Sequence, residues 1–500
     1  MAITKAYTSS IKTLNNLKNV KYDIVSAGNN KESQYFFQFI PPQLGGGTGF
    51  AIYGRPKFDS SNNIYVFGVI TTAANPSYNV DAILKISSTG NLLNAWTYNP
   101  NNASVGSACY GRVDSSGNIY LASGRTGTSD GGRIALAKFS QTPTLSWNKK
   151  IANTSKTMND IAMDWSESTG YCAVAWDISD GNGYIYAQPR VGLVDQNGVA
   201  LNNNLASYQS YSTQDGYMYD VVSMPARLGN TAGIGWVTRR YNGRYGVNVC
   251  YAQSYNANFT YTWDREILNS NTSGNNQVGV YKINCDSSSN VYLAGYYQDD
   301  ASVSVYNGWL VKLDTSGTIV WSKRIYWGTA SWYTQGTDVA IDSSGNCYLI
   351  CTTKKSATDG TGAISISKWN SAGTIQWQRI LGTTNNCGIY GNRINLDGNG
   401  DLIITGAFYS QSSYNPDYGT RMVIKLPADG SKTGTYTWYG PNGTYTFDYS
   451  TSSMTTGNAT TTNVSNNLGF YNTSSETVSA DSSAAVGTAP YVYGYQVVNA

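Results

Sequence analysis

The sequence predicts an all-β chain built from one repeated unit of four short antiparallel strands, and three observations carry that reading. The stretch from Thr337 to Leu381 supplies the unit. Val339 and Ile341 alternate with Asp338 and Ala340, the cluster Asp342-Ser343-Ser344-Gly345-Asn346 interrupts them, and Cys347 to Thr353 resumes an apolar run, as in a hairpin. A looser loop leads to Ile364 to Trp369, a second tight turn at Asn370-Ser371-Ala372-Gly373-Thr374, and a last strand from about Ile375 to Leu381. Four strands in about 45 residues match one propeller blade. The second observation is recurrence of the first turn at Asp59, Asp114, Asp286, Asp342 and Asp397, with degenerate forms at Asp164 and at Met224 to Asn230. The spacings run 55, 50, 122 for two units, 56 and 55 residues. The third is that Trp96, Trp147, Trp263, Trp321, Trp377 and Trp438 each fall in the last strand of a unit, the unit ending near Leu201 lacking one. Seven units follow, and with them a seven-bladed β-propeller.

The units are placed in chain order. The first uses Lys57-Phe58, Asn63 to Val69, Ala82 to Ile86 and Leu92 to Tyr98; the second Gly111 to Asp114, Asn118 to Gly124, Ile134 to Phe139 and Thr144 to Ile151. The third runs through Asp160 to Trp165, Tyr171 to Trp176, Arg190 to Asp195 and Val199 to Leu201, and the divergent fourth through Tyr217 to Ser223, Thr231 to Thr238, Gly246 to Gln253 and Tyr261 to Ile267. The fifth has Tyr281 to Asp286, Asn290 to Tyr296, Trp309 to Leu313 and Ile319 to Ile325. After the sixth, described above, the seventh takes Gly391 to Leu396, Asp401 to Ala407, Arg421 to Leu426 and Gly434 to Tyr439.

Two arms flank this body, giving three segments: 1–48, 49–440 and 441–500. In the first, Ile11 to Val20 has the spacing of a short helix and Tyr35 to Ile40 reads as a strand ended by Pro41-Pro42 and a glycine hinge. That strand either closes the ring on the first or last blade or grips a neighbouring subunit. In the last segment, Pro441 to about Thr488 is too poor in aliphatics to bury a core of its own and reads as a linker or strap. Tyr491, Val492, Tyr493, Tyr495 and Val497 then form an alternating strand that needs an edge to pair with, its own ring's or a partner's.

Composition narrows the function. Charged residues are 13% of the chain and the net charge is +3, which gives no footprint for nucleic acid or an anionic membrane. No apolar run is long enough to span a bilayer, and the first thirty or so residues lack a secretory pattern. The seven cysteines lack a CxxC pair and are expected as buried thiols. Histidine is absent, which removes the commonest general base and most zinc sites. The repeated turn aspartates offer one carboxylate per unit, so each is expected to bond its own turn's amides rather than calcium. No metal and no cofactor are expected.

The repeat resembles the bacterial seven-bladed propeller repeat of the form D-x-x-G-N-x-Y-[VL]-x-G, seen as DSSGNIYLASG from Asp114 and DSSSNVYLAG from Asp286. The match covers about three quarters of the chain. It implies a fold and almost nothing of function. The low-charge, Tyr/Asn/Ser/Thr-rich composition with polar arms also looks like virion proteins of tailed bacteriophages, tail components above all.

Both tight turns of each unit fall on one face of the disc, and the longer, variable loops share the other, where binding is expected. Three loops stand out there. Tyr326, Trp327, Trp332 and Tyr333 offer rings to a sugar or partner, although propeller aromatics also wedge between blades. Arg239, Arg240, Tyr241 and Arg244 could receive acidic groups, or form a solvated turn. Tyr409, Tyr414 and Tyr418 accompany a single carboxylate, Asp417, a poor start for acid/base chemistry. The boxes and arginine triad of propeller sialidases are not matched by these turns, and Asp pairs such as Asp299-Asp300 are not placed across a pocket by the sequence, so no catalysis is expected. The sequence therefore suggests a structural or interaction protein of a phage particle, in a tail or baseplate, docked to other virion proteins in multiple copies. The alternative is a carbohydrate-binding or host-adhesion propeller that recognises a cell-surface glycan.

Overall fold

The computed structural model describes residues 35–40, 50–72, 75–100, 106–125, 133–142, 144–152, 157–166, 169–179, 188–199, 205–208, 217–225, 232–239, 245–252, 259–269, 278–298, 306–327, 333–354, 361–383, 387–409, 420–440, 443–465, 470–473, 477–480, 484–488 and 496–499. These residues are all-β and form seven sheets arranged as a β-propeller. The segment expected as a helix, Ile11 to Val20, lies outside them. No helix among them is long and apolar enough to cross a membrane.

The recurring first turns at Asp59, Asp114, Asp286, Asp342 and Asp397 are each built by their aspartate. Asp286 Oδ1 accepts the amides of Ser288 and Asn290 at 2.9 Å, while Oδ2 accepts Asn290 Nδ2 at 2.8 Å and the Tyr292 hydroxyl at 3.3 Å. Asp342 does the same with Ser344, Asn346 and Tyr348. The carboxylate thus satisfies amides that the reversal leaves without strand partners, which explains the Asp, Asn and Tyr of the repeat in one network. The seventh turn has Asp401 where the others have Asn. Two carboxylates would repel, and Lys425 Nζ settles between them, 2.7 Å from Asp397 Oδ2 and 3.5 Å from Asp401 Oδ2. The fourth turn position is left-handed: Gly117, Gly345 and Gly400 occupy it at φ of 79°, 76° and 83°, and Ser289 is forced to 65°.

The tryptophans of the last strands tie sheet to sheet. Trp147, Trp263, Trp321 and Trp377 each donate the indole N–H to a carbonyl in the second tight turn of the next sheet, those of Gln196, Thr315, Ser371 and Ala428, at 3.0, 3.0, 3.1 and 3.2 Å. The ring lies flat against that turn's glycine. A Cβ on Gly317 would stand 2.7 Å from Trp263, and one on Gly373 2.9 Å from Trp321. At these four boundaries position and partner are therefore fixed by one side chain each.

Two findings differ from the expected layout. Gly434–Gly440 is not the last strand of the seventh sheet. It pairs with Gly443–Thr451 and lies at the outer edge of the sixth sheet, because Gly440 opposes Gly443 and a two-residue hairpin returns the chain immediately. Trp438 goes with it and marks no seventh unit. The fourth strand of the seventh sheet is instead Phe36–Ile40, antiparallel to Thr420–Leu426 with Phe37 opposite Ile424. The N-terminal strand thus completes the last blade of its own chain.

The second finding concerns the polar strap. It visits the sheets in reverse order, adding an antiparallel strand outside each: Gly443–Thr451 on the sixth, Thr455–Asn458 on the fifth, Thr461–Ser465 on the fourth and Phe470–Thr473 on the third. Thr477–Ala480 follows on the second, Ala484–Thr488 on the first and Gln496–Asn499 on the seventh, against Phe36–Ile40. Val497 opposes Gln38 in that final pair, while Tyr491, Val492, Tyr493 and Tyr495 lie outside the described residues. The edge sought by this strand belongs to its own ring. Among the described side chains of the strap, Tyr445, Phe447 and Tyr449 enter the core between sheets six and seven, and Met454 and Ala459 pack into the cores beside the fifth sheet. Each strap strand is also paired through its backbone, which sets no demand on side-chain type.

The first and seventh sheets meet directly. Arg393 Nε donates to the Tyr53 carbonyl at 2.8 Å and Asn395 Nδ2 to that of Pro56 at 2.9 Å, while Ile403 and Val423 share a cluster with Phe50, Val66 and Leu84. The described thiols are free, five of the six being buried.

Replacing Ser289 by Gly removes the left-handed strain of a residue with a Cβ and is expected to stabilise the fold by about 1 kcal/mol, with Gly345→Ser costing a similar amount. Denaturant midpoints of the two variants check this. A chain ending at residue 441 leaves the outer edges of all the sheets open and is expected to elute as aggregate in size-exclusion chromatography.

Candidate functional site

The first strands of the sheets line the hub, and their side chains place charges there in a pattern no single repeat displays. Arg55 enters from the break between Ala51–Ile52 and Lys57–Phe58 and reaches across the ring. Its Nε lies 3.0 and 2.9 Å from the two carboxylate oxygens of Asp338, and its Nη2 donates to the Ile283 carbonyl at 3.0 Å and reaches Asp220 Oδ2 at 3.4 Å. One guanidinium of the first sheet therefore joins the fourth, fifth and sixth.

The hub aspartates also stitch neighbouring first strands together. Asp164 accepts the Ser223 amide at 2.8 Å, Asp220 the Ile283 amide at 3.1 Å and Asp338 the Ile394 amide at 3.1 Å. Arg112 pairs with Asp164, and Lys282 Nζ stands 3.3 Å from Asp220 Oδ1 and from the Tyr219 carbonyl. A β-bulge beside Asp220, Lys282, Asp338 and Arg393 turns these residues toward the hub. Burial alone would lower the Arg55 pKa, but the carboxylates of Asp338 and Asp220 outweigh it and hold the group above its ordinary value. Lys282 goes the other way: burial, then the nearby Arg393, pushes it down to about 8.

Beside the hub, on the face away from the tight turns, runs a track of tyrosines. Tyr245 meets Tyr219 with ring centroids 5.6 Å apart, Tyr219 meets Tyr281 at 6.2 Å across the boundary between sheets four and five, and Tyr281 meets Tyr296 at 5.6 Å. Tyr296 stands edge-on to Tyr306 at 4.6 Å and Tyr306 to Tyr333 at 4.8 Å. Gln335 Nε2 donates to the hydroxyls of Tyr281 and Tyr333 and so links the middle of this run to its outer end. The chain makes room for it: a Cβ on Gly279 would stand 1.9 Å from the Tyr296 ring. Exposure rises along the track from buried Tyr296 to Tyr333, 46% exposed. Burial foremost, and then neighbouring phenols, raises the pKa of Tyr281. A second exposed ring, Tyr390, stands edge-on to Tyr409 on the seventh sheet.

The residues singled out in the sequence fall in different places. Tyr333 is the exposed end of the track. Trp327 is corrected: it is buried, donates its indole N–H to Thr353 Oγ1 at 3.1 Å and packs in the core of sheets five and six, so its ring is a wedge and offers no face to a ligand. Tyr326 lies under the Arg324 guanidinium, 4.9 Å from its ring centroid. Arg239 ends the strand Ala232–Arg239, and Trp332, Arg240, Tyr241, Arg244, Tyr414, Asp417 and Tyr418 lie outside the described residues. Sequence reasoning missed Tyr219, Tyr281, Tyr296 and Tyr306, because a tyrosine inside a strand reads as core. The one available signal is that Tyr219 and Tyr281 hold the same place in consecutive first strands, each followed by a charged residue.

No family model matches the chain, and no curated protein matches it. Solved structures do. An α-L-arabinanase from Penicillium chrysogenum, complexed with arabinobiose, is similar at 11% identity and a TM-score of 0.41, over 79% of this chain and 98% of that one. An α-L-arabinofuranosidase from Fusarium graminearum is similar at 8% and 0.39, over 79% and 98%. The WD40 domain of SCAP from fission yeast is similar at 9% and 0.35, over 85% and 97%. The expectation of a chain without catalytic function is corrected here: glycosidases stand among these structures, and Asp220 and Asp338 converge at the hub on one guanidinium, a meeting of carboxylates the sequence did not place. A phage-particle role finds no support among these matches.

Two outcomes follow from the hub. Asp338→Ala strands Arg55 in the interior and is expected to cost about 3–5 kcal/mol in urea unfolding, most of it recovered when Arg55→Met is combined with Asp338→Leu. Lys282 releases its proton near pH 8 when folded and near its ordinary 10.5 when unfolded, so between these values the unfolded state binds the extra proton. Stability is therefore expected to rise from about pH 8, until the buried tyrosines, which resist ionising in the fold, reverse the slope above about pH 10. The rise is measured as the unfolding midpoint across that range and is absent in Lys282→Met.

Proposed function

We propose that this propeller binds carbohydrate along the tyrosine track from Tyr219 at the hub to Tyr333 on the loop face. The observation that carries the reading is the continuity of the run, Tyr245, Tyr219, Tyr281, Tyr296, Tyr306 and Tyr333, with Gln335 holding two of its hydroxyls. Rings give a sugar an apolar surface for its C–H faces, and phenol oxygens and a side-chain amide supply donors and acceptors for its hydroxyls. The rings are held by one another and by Gly279, so little conformational freedom is lost on binding. The carbohydrate-related structures among the matches agree with this choice of ligand. A cell-surface glycan is the source that fits an adhesion role.

The test is a polysaccharide panel in affinity electrophoresis and calorimetry. Tyr333→Ala is expected to weaken the best ligand about tenfold, the loss of roughly 1.4 kcal/mol of ring contact, with the melting temperature unchanged. Equal binding by wild type and the Tyr333→Ala and Tyr281→Phe variants would remove the track from the binding surface. The same mixtures are assayed for new reducing ends, which separates retention of the glycan from its cleavage.

A further inference from the structure

Arg55, Lys282, Asp338 and Arg393 each stand four positions before the turn aspartate of their own unit, at Asp59, Asp286, Asp342 and Asp397, and Asp220 joins them from the fourth sheet. Among the described side chains these are three cations and two carboxylates. Asp338 is committed to Arg55 and to the amides of Val339 and Ile394, and Asp220 is shared by Arg55, Lys282 and the Ile283 amide. Arg393 donates only to backbone carbonyls, those of Tyr53 and Asn392, and no carboxylate among the described residues pairs with it. A half-buried cation without a carboxylate partner is stabilised when an anion arrives. Arg393 is also the least buried of the three cations, so the layer is open at that guanidinium.

We infer that the hub seats an anionic group on Arg393, beside Lys282, and that the glycan preferred by this protein carries a carboxylate or sulfate there. The inference rests in part on the carbohydrate reading. The two surfaces adjoin: Lys282 directly follows Tyr281 in the chain, Asp220 follows Tyr219, and Lys282 Nζ reaches the Tyr219 carbonyl. A sugar lying on the hub end of the track would therefore bring its acidic substituent over the layer. A guanidinium can meet two oxygens of such a group at once, and the neighbouring ammonium adds a point charge. The depressed pKa of Lys282, caused in part by Arg393, agrees with a site short of negative charge.

The experiment compares galacturonic acid oligomers with galactose oligomers of equal length by calorimetry, and adds sodium sulfate as a separate probe in thermal unfolding of the full chain. Galacturonate is expected to bind at least tenfold tighter than galactose, and this advantage to vanish in Arg393→Gln while galactose binding stays. Arg393→Lys, which keeps the charge, is expected to retain part of the advantage and guards against a folding artefact. Equal binding of the two oligomers, or an advantage that survives in Arg393→Gln, overturns the hub site and leaves the tyrosine track standing. If neither oligomer binds, the carbohydrate reading fails on its own. In that case stabilisation by sulfate in the wild type, lost in Arg393→Gln, upholds the anion site, and its absence overturns that as well.

Discussion

The constraint that organises this molecule is the open outer edge of every sheet. A blade ends in a strand whose outward N–H and C=O groups have no partner within the blade, and seven such edges are seven templates for association with another chain. The chain answers with one continuous polar strap that supplies a strand to each edge in turn. Backbone pairing is indifferent to side chains, so Thr, Ser, Asn and Gly suffice where a packed domain would need aliphatics. Met454 and Phe447, apolar residues of the strap, stand where a side chain reaches the core between sheets. Edge protection and solubility are thereby met by the same composition.

The interior is fastened differently. Around the turn face, tryptophans hold the next sheet by an indole hydrogen bond and a glycine contact; around the hub, aspartates hold the next first strand by its amide. Arg55 is the exception, since it spans the ring and ties the entry of the chain to sheets far from it in sequence. The same inward crowding of charge that fixes the sheets leaves Arg393 without a carboxylate partner among the described residues. In the proposed reading, fastening and recognition draw on one layer of residues.

Much of the framework was legible because its devices are local. Asp286, Asn290 and Tyr292 meet within a single turn, so their spacing announces the contact, and the tryptophans repeat at fixed intervals from it. What failed was decided by distant partners. Gly434–Gly440 reads as a fourth strand until Phe36–Ile40 competes for the same place, and nothing in either segment names its neighbour. Trp327 directly follows Tyr326 in sequence yet points inward to Thr353. The hub escaped notice because Arg55 and Asp338 look like isolated charges in separate repeats, and the track because its tyrosines occupy strands whose alternation marks them as core.

The antiparallel pairing of Phe36–Ile40 with both Thr420–Leu426 and Gln496–Asn499 bears on biosynthesis. A ribosome delivers the closing strand early and its partners last, so that strand must wait while six sheets assemble. The wrapping then proceeds from the sixth sheet back to the first, against the order of translation. A nascent chain halted partway would carry bare rims on the blades it made first. Completion of this wheel is consequently a late, long-range event, of the slow-folding kind expected for non-local β pairing, and chaperones that shield strand edges have their natural window just before it.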